Sequence, residues 1–130
     1  MVFITSGIGT GVVFDGQIYR GKGGVAGEFG HMTIGSNAPI ECAAGSKDCW
    51  EAFASERAAV ARYMNLLEKQ NGTGKITFSQ LIDIALQGDE KAKIALKETA
   101  YSYESGYLTS YKVFHLKLLL YREILSGLGI

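Results

Sequence analysis

The side chains able to do chemistry are concentrated between Glu28 and Glu51. Glu28 and His31 stand three positions apart and each directly follows a glycine, so on one helical turn both can face the same ligand. An ionised carboxylate is a strong hydrogen-bond acceptor and suits the hydroxyl groups of a sugar. A structural histidine beside a solvated surface acid is the alternative, and for an isolated pair that alternative is favoured.

A metal site is the second candidate in this stretch. His31, Cys42 and Cys49 offer an imidazole and thiols, the ligands that Zn²⁺ binds best. A structural zinc site needs four ligands, and Asp48, Glu41 or a water molecule is available to complete it. Such a metal would support the irregular segment from residue 35 to residue 48. A disulfide between the two cysteines is the alternative.

Glycines alternate with other residues near the start of the chain, in Ser6-Gly7-Ile8-Gly9-Thr10-Gly11. Such a backbone can approach a ligand closely, and successive amides can bind an anion. The spacing is not the dinucleotide-binding fingerprint, and no helix is predicted to follow. Taken alone, the segment is interpreted as a tight turn between strands.

Short strands are predicted before residue 35. The dipeptide Asp15-Gly16 favours a two-residue hairpin turn. The predicted strands are Phe3–Thr5, Val12–Phe14 and Gln17–Tyr19, with Met32–Ile34 as a candidate fourth.

Helices are predicted for the second half. One covers residues 51–68, and a capping box at Thr77 and Gln80 opens another that ends at Gly88. A third begins near Asp89 and presents a stripe interpreted as core, and a final apolar run from Leu116 to Leu125 is ambiguous between strand and helix. The stripe consists of Ala92, Leu96, Ala100, Tyr103, Tyr107, Tyr111 and Phe114.

Composition limits the function classes. A chain of 130 residues, 47% hydrophobic, suffices for one domain with its own core. The 13 basic and 13 acidic side chains cancel, and a pI of about 6.7 argues against a nucleic-acid surface.

No apolar run reaches the ~20 residues that span a bilayer, and no signal peptide is evident. Two cysteines without export signals favour the cytoplasm. Both termini read as cut through secondary structure, so a fragment is expected.

The run from Thr5 to Glu51 resembles the ROK family of bacterial sugar kinases and sugar-responsive transcriptional repressors. The resemblance rests on the glycine turn with its hairpin, on the motif Gly-Glu-Phe-Gly-His at residues 27–31, and on the segment that ends Cys-Trp-Glu. It implies an α/β fold, the second lobe of an actin-like (ribonuclease H-like) two-lobed ATPase. Residues 1–130 would then form one partial domain, with the first lobe and any DNA-binding segment upstream.

The resemblance also implies roles for individual residues. Glu28, His31 and Glu51 correspond to the family's sugar-binding residues, and the same histidine with three cysteines holds its structural zinc. Cys42 and Cys49 match two of those cysteines. Ala44 stands where the middle cysteine is usual and Asp48 replaces a glycine, so the zinc site implied here is His31, Cys42 and Cys49 with one ligand missing.

Catalysis is not expected of this chain. The family's general base and its first phosphate loop belong to the first lobe, and neither motif occurs here. Ser6, Gly7, Gly9 and Gly11 are interpreted as the remnant of a phosphate loop, with ATP a cofactor only if the full protein is a kinase.

Two functions are therefore considered, and one of them is favoured. The sequence Cys-Trp-Glu-Ala-Phe-Ala-Ser-Glu-Arg resembles the xylose-repressor branch, which favours a sugar-binding effector lobe that acts on DNA only through a missing upstream domain. The alternative is the C-terminal half of a sugar kinase. Family members commonly form homo-oligomers, and the same is expected here.

Overall fold

Paired short strands form the first part of the fold in the computed structural model, which describes residues 2–68 and 75–114. β1 pairs antiparallel with β2, with Ile4 opposite Ile8. β3 pairs in the same way with β4, with Phe14 opposite Gln17. The strands are β1 (Val2–Ile4), β2 (Ile8–Thr10), β3 (Val12–Phe14) and β4 (Gln17–Tyr19).

The predicted hairpin is confirmed. Asp15 and Gly16 have φ values of 49° and 76°, the left-handed pair that a two-residue turn needs to match the twist of its strands. β1 lies one residue earlier than the predicted Phe3–Thr5.

Two predictions about strands are wrong. The glycine-rich segment is not only a turn, because Ile8–Thr10 is itself a strand and the turn is confined to the residues before it, where the Thr5 N–H donates to the Gly7 carbonyl at 2.9 Å. Residues 32–34 form no strand, since only an isolated bridge joins Thr33 to Cys49. The residues between β4 and α1 instead include 3₁₀ turns at Lys22–Gly24 and Glu28–His31.

The helix predicted over residues 51–68 is divided in two at Ser55. Ser55 has extended backbone angles (φ −78°, ψ 164°), and its hydroxyl accepts a hydrogen bond from the Ala58 N–H at 3.3 Å. Serine therefore caps the second helix. The helices are α1 (Trp50–Ala54), α2 (Glu56–Glu68), α3 (Phe78–Leu86) and α4 (Glu90–Phe114).

The two later helices are confirmed. Thr77 and Gln80 make both hydrogen bonds of the capping box, and α3 stops before Gly88, which has a φ of 100°. The Asp89 carboxylate accepts the Ala92 N–H at 2.7 Å and so caps α4. The run from 116 to 125 lies outside the described residues.

α4 links two apolar clusters. The helical cluster joins α2, α3 and the first turns of α4, and the tryptophan cluster joins β2, α1 and the later turns of α4. The helical cluster is Ala59, Tyr63, Leu81, Ala85, Ala92, Ala95 and Leu96; the tryptophan cluster is Ile8, Trp50, Ala54, Tyr103 and Tyr107.

The predicted stripe on α4 is therefore core. Its members from Ala92 to Tyr107 are buried, whereas the side chains of Tyr111 and Phe114 lie outside those described. Within residues 2–68 and 75–114, none of the helices combines the length and the apolar character needed to cross a membrane.

Candidate functional site

The Glu28–His31 turn lies directly on strand β2. A Cβ atom at Gly27 would come within 2.5 Å of the Thr10 carbonyl oxygen, and one at Gly30 would overlap the carbonyl of Ile8. Gly27 also has a φ of 96°, and its carbonyl accepts a hydrogen bond from the Thr10 hydroxyl. Only glycine allows this approach at both positions.

Because the glycines face the strand, Glu28 and His31 face outward together. Their side chains are exposed, and the His31 Nε2 lies 3.7 Å from the Glu28 Oε2. The prediction that three-residue spacing brings both onto one helical turn is confirmed. A ring nitrogen and a carboxylate at this separation can hydrogen-bond neighbouring hydroxyl groups of one ligand.

The consecutive side chains of Cys49, Trp50 and Glu51 lie in three different environments: the cysteine loop, the tryptophan cluster and the glycine turn. Cys49 packs in a small loop cluster with Ala38, Cys42 and Ala52. Trp50 has no exposed surface and stacks on Tyr103, with ring centroids 5.5 Å apart. Trp50 therefore anchors the start of α1 in the core and fixes where its neighbours lie.

Glu51 is a buried carboxylate held by backbone amides. One oxygen accepts the Ile8 N–H at 3.2 Å, and the other accepts the Ala43 N–H at 3.1 Å. A Cβ atom at Gly7 would come within 2.6 Å of Oε2. Glu51 thus joins the glycine turn to the cysteine loop, a role that the sequence did not indicate.

His31, Cys42 and Cys49 come together as predicted. Their ligand atoms all lie within 4.8 Å of one another. Ligands bound to one zinc at about 2.0–2.3 Å lie roughly 3.3–3.8 Å apart in a tetrahedron. The upper bound of 4.8 Å exceeds that spacing by only about 1 Å, so these residues fit a metal such as zinc.

Neither suggested fourth ligand joins this group. In the part of the chain that the structure describes, the carboxylates of Glu41 and Asp48 do not belong to the cluster. Glu41 instead lies 4.0 Å from the Lys47 ammonium.

Both thiols are buried and free, so the disulfide alternative is wrong for this structure. Burial opposes ionisation of Cys42, but hydrogen bonds from Cys49, from backbone groups of Ser46 and Ala44, and from His31 outweigh it and lower its pKa to about 7. Burial, with the hydrogen bond to Cys42, raises the pKa of Cys49 to about 11. One thiol of the pair is therefore disposed to ionise near neutral pH, and a metal ligand must be a thiolate.

The predicted phosphate-loop residues are spread along the turn and β2. Ser6 is exposed beside Gly7, Gly9 lies within β2 opposite Phe3, and Gly11 lies between β2 and β3. Their phosphate-binding role stays a prediction.

The profile of the ROK family matches residues 1–119. The chain belongs to the ROK family. It is 34% identical over 120 residues to a xylose repressor from Bacillus spizizenii, an alignment that covers 92% of this chain and 29% of that protein. It is 50% identical over 66 residues to an N-acetylmannosamine kinase from Salmonella arizonae, which covers 48% of this chain and 22% of the kinase.

A solved structure from the same family has a similar fold. The ROK glucokinase of Streptomyces griseus, in complex with glucose and AMPPNP, superposes with a TM-score of 0.75 at 28% identity, covering 88% of this chain and 40% of the glucokinase. The actin-like, ribonuclease H-like α/β fold is confirmed for this ROK chain. The chain spans about 29% of the length of the xylose repressor.

Proposed function

We propose that this chain is the sugar-binding effector lobe of a ROK-type transcriptional repressor and is not itself catalytic. The observation that carries the proposal is the match over 92% of the chain to a xylose repressor. The outward-facing pair of Glu28 and His31 supports sugar as the effector. Residues 1–130 would be the second of two lobes.

In this proposal the sugar lies on the Glu28–His31 turn. The Glu28 carboxylate accepts hydrogen bonds from sugar hydroxyls and the His31 imidazole contributes a neighbouring one. Glu51 as a third sugar contact stays a prediction. Sugar that binds one arrangement of the two lobes more tightly would shift the population toward it and so change the affinity for DNA.

Zinc is the proposed cofactor of this lobe. His31, Cys42 and Cys49 would hold it, and its contribution would be to tie together a loop that has no regular structure of its own. The loop's backbone contacts, such as the Ala38 N–H to the Lys47 carbonyl at 2.9 Å, cross between its two arms. An imidazole has two nitrogens, so His31 can serve a metal and a sugar at once.

Calorimetric titration of the full-length protein with D-xylose, D-glucose and N-acetyl-D-mannosamine tests the sugar site. We expect one of them to bind, and Glu28→Gln to weaken it by about 10- to 100-fold, because hydrogen bonds to a charged group are worth about 1.5–3 kcal/mol. Glu104→Gln makes the same change at an exposed position of α4 and should leave the affinity unchanged. If Glu28→Gln binds as tightly as the wild type, this site is not the sugar site.

The second candidate is the C-terminal half of a ROK sugar kinase. The 50% identity over 66 residues to an N-acetylmannosamine kinase favours it. The sequence that precedes this chain in its gene discriminates between the two. A helix-turn-helix segment favours the repressor, whereas an Asp-x-Gly-Gly loop followed by an Asn-Asp pair favours the kinase, with ATP as its second substrate.

The remaining assignments stay predictions. DNA binding is predicted to depend on a segment upstream of these residues. The cytoplasmic location rests on the two cysteines, and the homo-oligomer rests on the family.

A further inference from the structure

Thr10, the last residue of β2, contacts the residue that directly precedes Glu28. Its side chain is half-buried, and its hydroxyl donates a hydrogen bond to the carbonyl oxygen of Gly27. That carbonyl belongs to the peptide group that joins Gly27 to Glu28. Because a peptide group is planar, a hydrogen bond to its oxygen also restrains the N–H side of the same unit. The Thr10 hydroxyl therefore acts on the backbone from which the Glu28 side chain projects.

Gly27 is the joint at which this restraint matters. Its φ of 96° lies in the left-handed region, and glycine has more conformational freedom to lose on folding than any other residue. Gly27 also has no side chain with which to cap the turn that follows it. A directional restraint on this joint is supplied instead from β2, by the side chain of Thr10.

The other end of the turn is held by the main chain. The carbonyl of Met32, the residue after His31, accepts the Trp50 N–H at 2.9 Å, and the Met32 N–H donates to the Phe29 carbonyl at 3.0 Å. Hydrogen bonds between backbone groups do not depend on the identity of the side chains. The two ends of the turn thus differ, because the hydrogen bond to Gly27 requires a hydroxyl at position 10.

We propose that Thr10 is a positioning residue for sugar binding, whose hydroxyl fixes the peptide before Glu28 and so the direction in which the Glu28 carboxylate meets the sugar. The inference rests on the proposed function, because it concerns the same sugar site. The Glu28 carboxylate lies 3.7 Å from the His31 ring, and two groups bind one ligand together only while they are held in the right geometry. Thr10 acts through Glu28 and does not itself contact the sugar.

Thr10→Ala and Thr10→Ser form a matched pair that differs only by the hydroxyl group. Each variant of the full-length protein is titrated calorimetrically with D-xylose, D-glucose and N-acetyl-D-mannosamine. We expect Thr10→Ala to weaken the affinity by about 5-fold, which corresponds to the net contribution of one hydrogen bond, and Thr10→Ser to keep the wild-type affinity. Thr109→Ala, which removes an exposed hydroxyl from α4, should also bind like the wild type.

A double-mutant cycle separates positioning from a general loss of stability. If Thr10 acts through Glu28, Thr10→Ala should have little further effect on the affinity of Glu28→Gln, and the coupling between the two changes should exceed about 2-fold. A general loss of stability would instead lower the calorimetric stoichiometry and leave the two effects additive. Equal losses of affinity for Thr10→Ala in both backgrounds would overturn the proposal.

A measurement without sugar tests the positioning step by itself. In a proton–nitrogen correlation spectrum of the sugar-free protein, Thr10→Ala should shift the backbone amide signals of Glu28 and Phe29, whereas Thr10→Ser should leave them close to the wild type. If these signals do not distinguish the two variants, Thr10 does not position the turn, and the inference is wrong whether or not sugar binds there.

The inference and the proposed function fail in different ways. If Glu28→Gln weakens sugar binding but Thr10→Ala does not, the positioning role is wrong while the sugar site stands. If Glu28→Gln binds sugar as tightly as the wild type, the turn is not the sugar site, and the role of Thr10 in sugar binding is wrong together with the proposed function.

Discussion

At the scale of single residues, Glu51 shows how backbone amides stabilise a buried carboxylate. Ionised acceptors make the stronger hydrogen bonds, and both of its oxygens are used, by Ile8 at 3.2 Å and by Ala43 at 3.1 Å. Glutamine has one acceptor oxygen and one NH₂ group. After Glu51→Gln the NH₂ group would therefore face one of the two N–H donors.

We expect Glu51→Gln to lower the free energy of unfolding by about 1–3 kcal/mol, the cost of an unsatisfied buried group. Urea denaturation measures the loss, and amide hydrogen exchange should be faster at Ile8 and Ala43 even without sugar. Glu104→Gln, exposed on α4, is the control and should stay within about 0.5 kcal/mol of the wild type. Equal stability of the two variants, with unchanged exchange, would show that the carboxylate does not hold the turn.

The sequence predicted the local part of the site and not its distant part. Glu28 and His31 are neighbours because of a spacing of three within one turn. The Glu51 contact to Ile8 spans 43 positions, and no local pattern encodes it. The proximity of the cysteines to His31 was predicted from their chemistry as metal ligands and from the family resemblance, and not from a local pattern.

At the scale of elements, the site depends on how closely the Glu28–His31 turn packs on β2. Gly30→Ala would place a methyl group on the carbonyl oxygen of Ile8, so the turn must move away from the strand. Overpacking of this kind costs about 1–3 kcal/mol. Glu28 and His31 belong to the same turn as Gly30. We therefore expect Gly30→Ala to weaken sugar binding as well as to lower stability.

Thermal or urea unfolding, together with the calorimetric titration, measures both effects. Gly9→Ala is the control, because a Cβ atom at Gly9 would meet no atom of the described residues within 4 Å. It should be neutral or slightly stabilising. The packing argument would be refuted by a Gly30→Ala protein that unfolds and binds sugar like the Gly9→Ala protein.

Elements with strong local signals were predicted, and elements that depend on tertiary contacts were not. The Asp15-Gly16 turn and the Thr77 capping box each carry their own chemistry. Strand β2 has a glycine at its centre and a glycine on either side, so its own sequence does not favour a strand, and it is held by its pairing with β1. The break before α2 depends on Ser55, which is fully buried, and on a hydrogen bond from the Glu56 N–H to the carbonyl of Thr5 at 3.0 Å.

At the scale of the whole molecule, α4 connects the two apolar clusters, because it contributes side chains to both of them. Its first turns belong to the helical cluster and its later turns to the tryptophan cluster. Arg62 of α2 supports this arrangement, since its guanidinium donates to the Thr99 hydroxyl at 2.8 Å and to the Ser102 hydroxyl at 3.1 Å. The Glu28–His31 turn is thus supported by a helix that begins about sixty residues later in the sequence, because Phe29 packs against the tryptophan cluster.

Gly106 is the position at which α4 packs directly against Trp50 of α1. A Cβ atom there would overlap the indole ring of Trp50. Alanine at this position improves helix propensity by about 1 kcal/mol, but overpacking a buried ring costs about 1–3 kcal/mol. The second effect is the larger, so we expect Gly106→Ala to destabilise the protein although it favours the helix.

Trp50 is the single tryptophan of the chain, and its fluorescence reports on this contact directly. We expect Gly106→Ala to shift the native emission of the ring and to lower the urea midpoint. Thr109→Ala, exposed on the same helix, also improves helix propensity but adds nothing against the indole, so it should be neutral or stabilising. If Gly106→Ala instead raised stability as Thr109→Ala does, the close contact between α1 and α4 would not be what joins the site to the core.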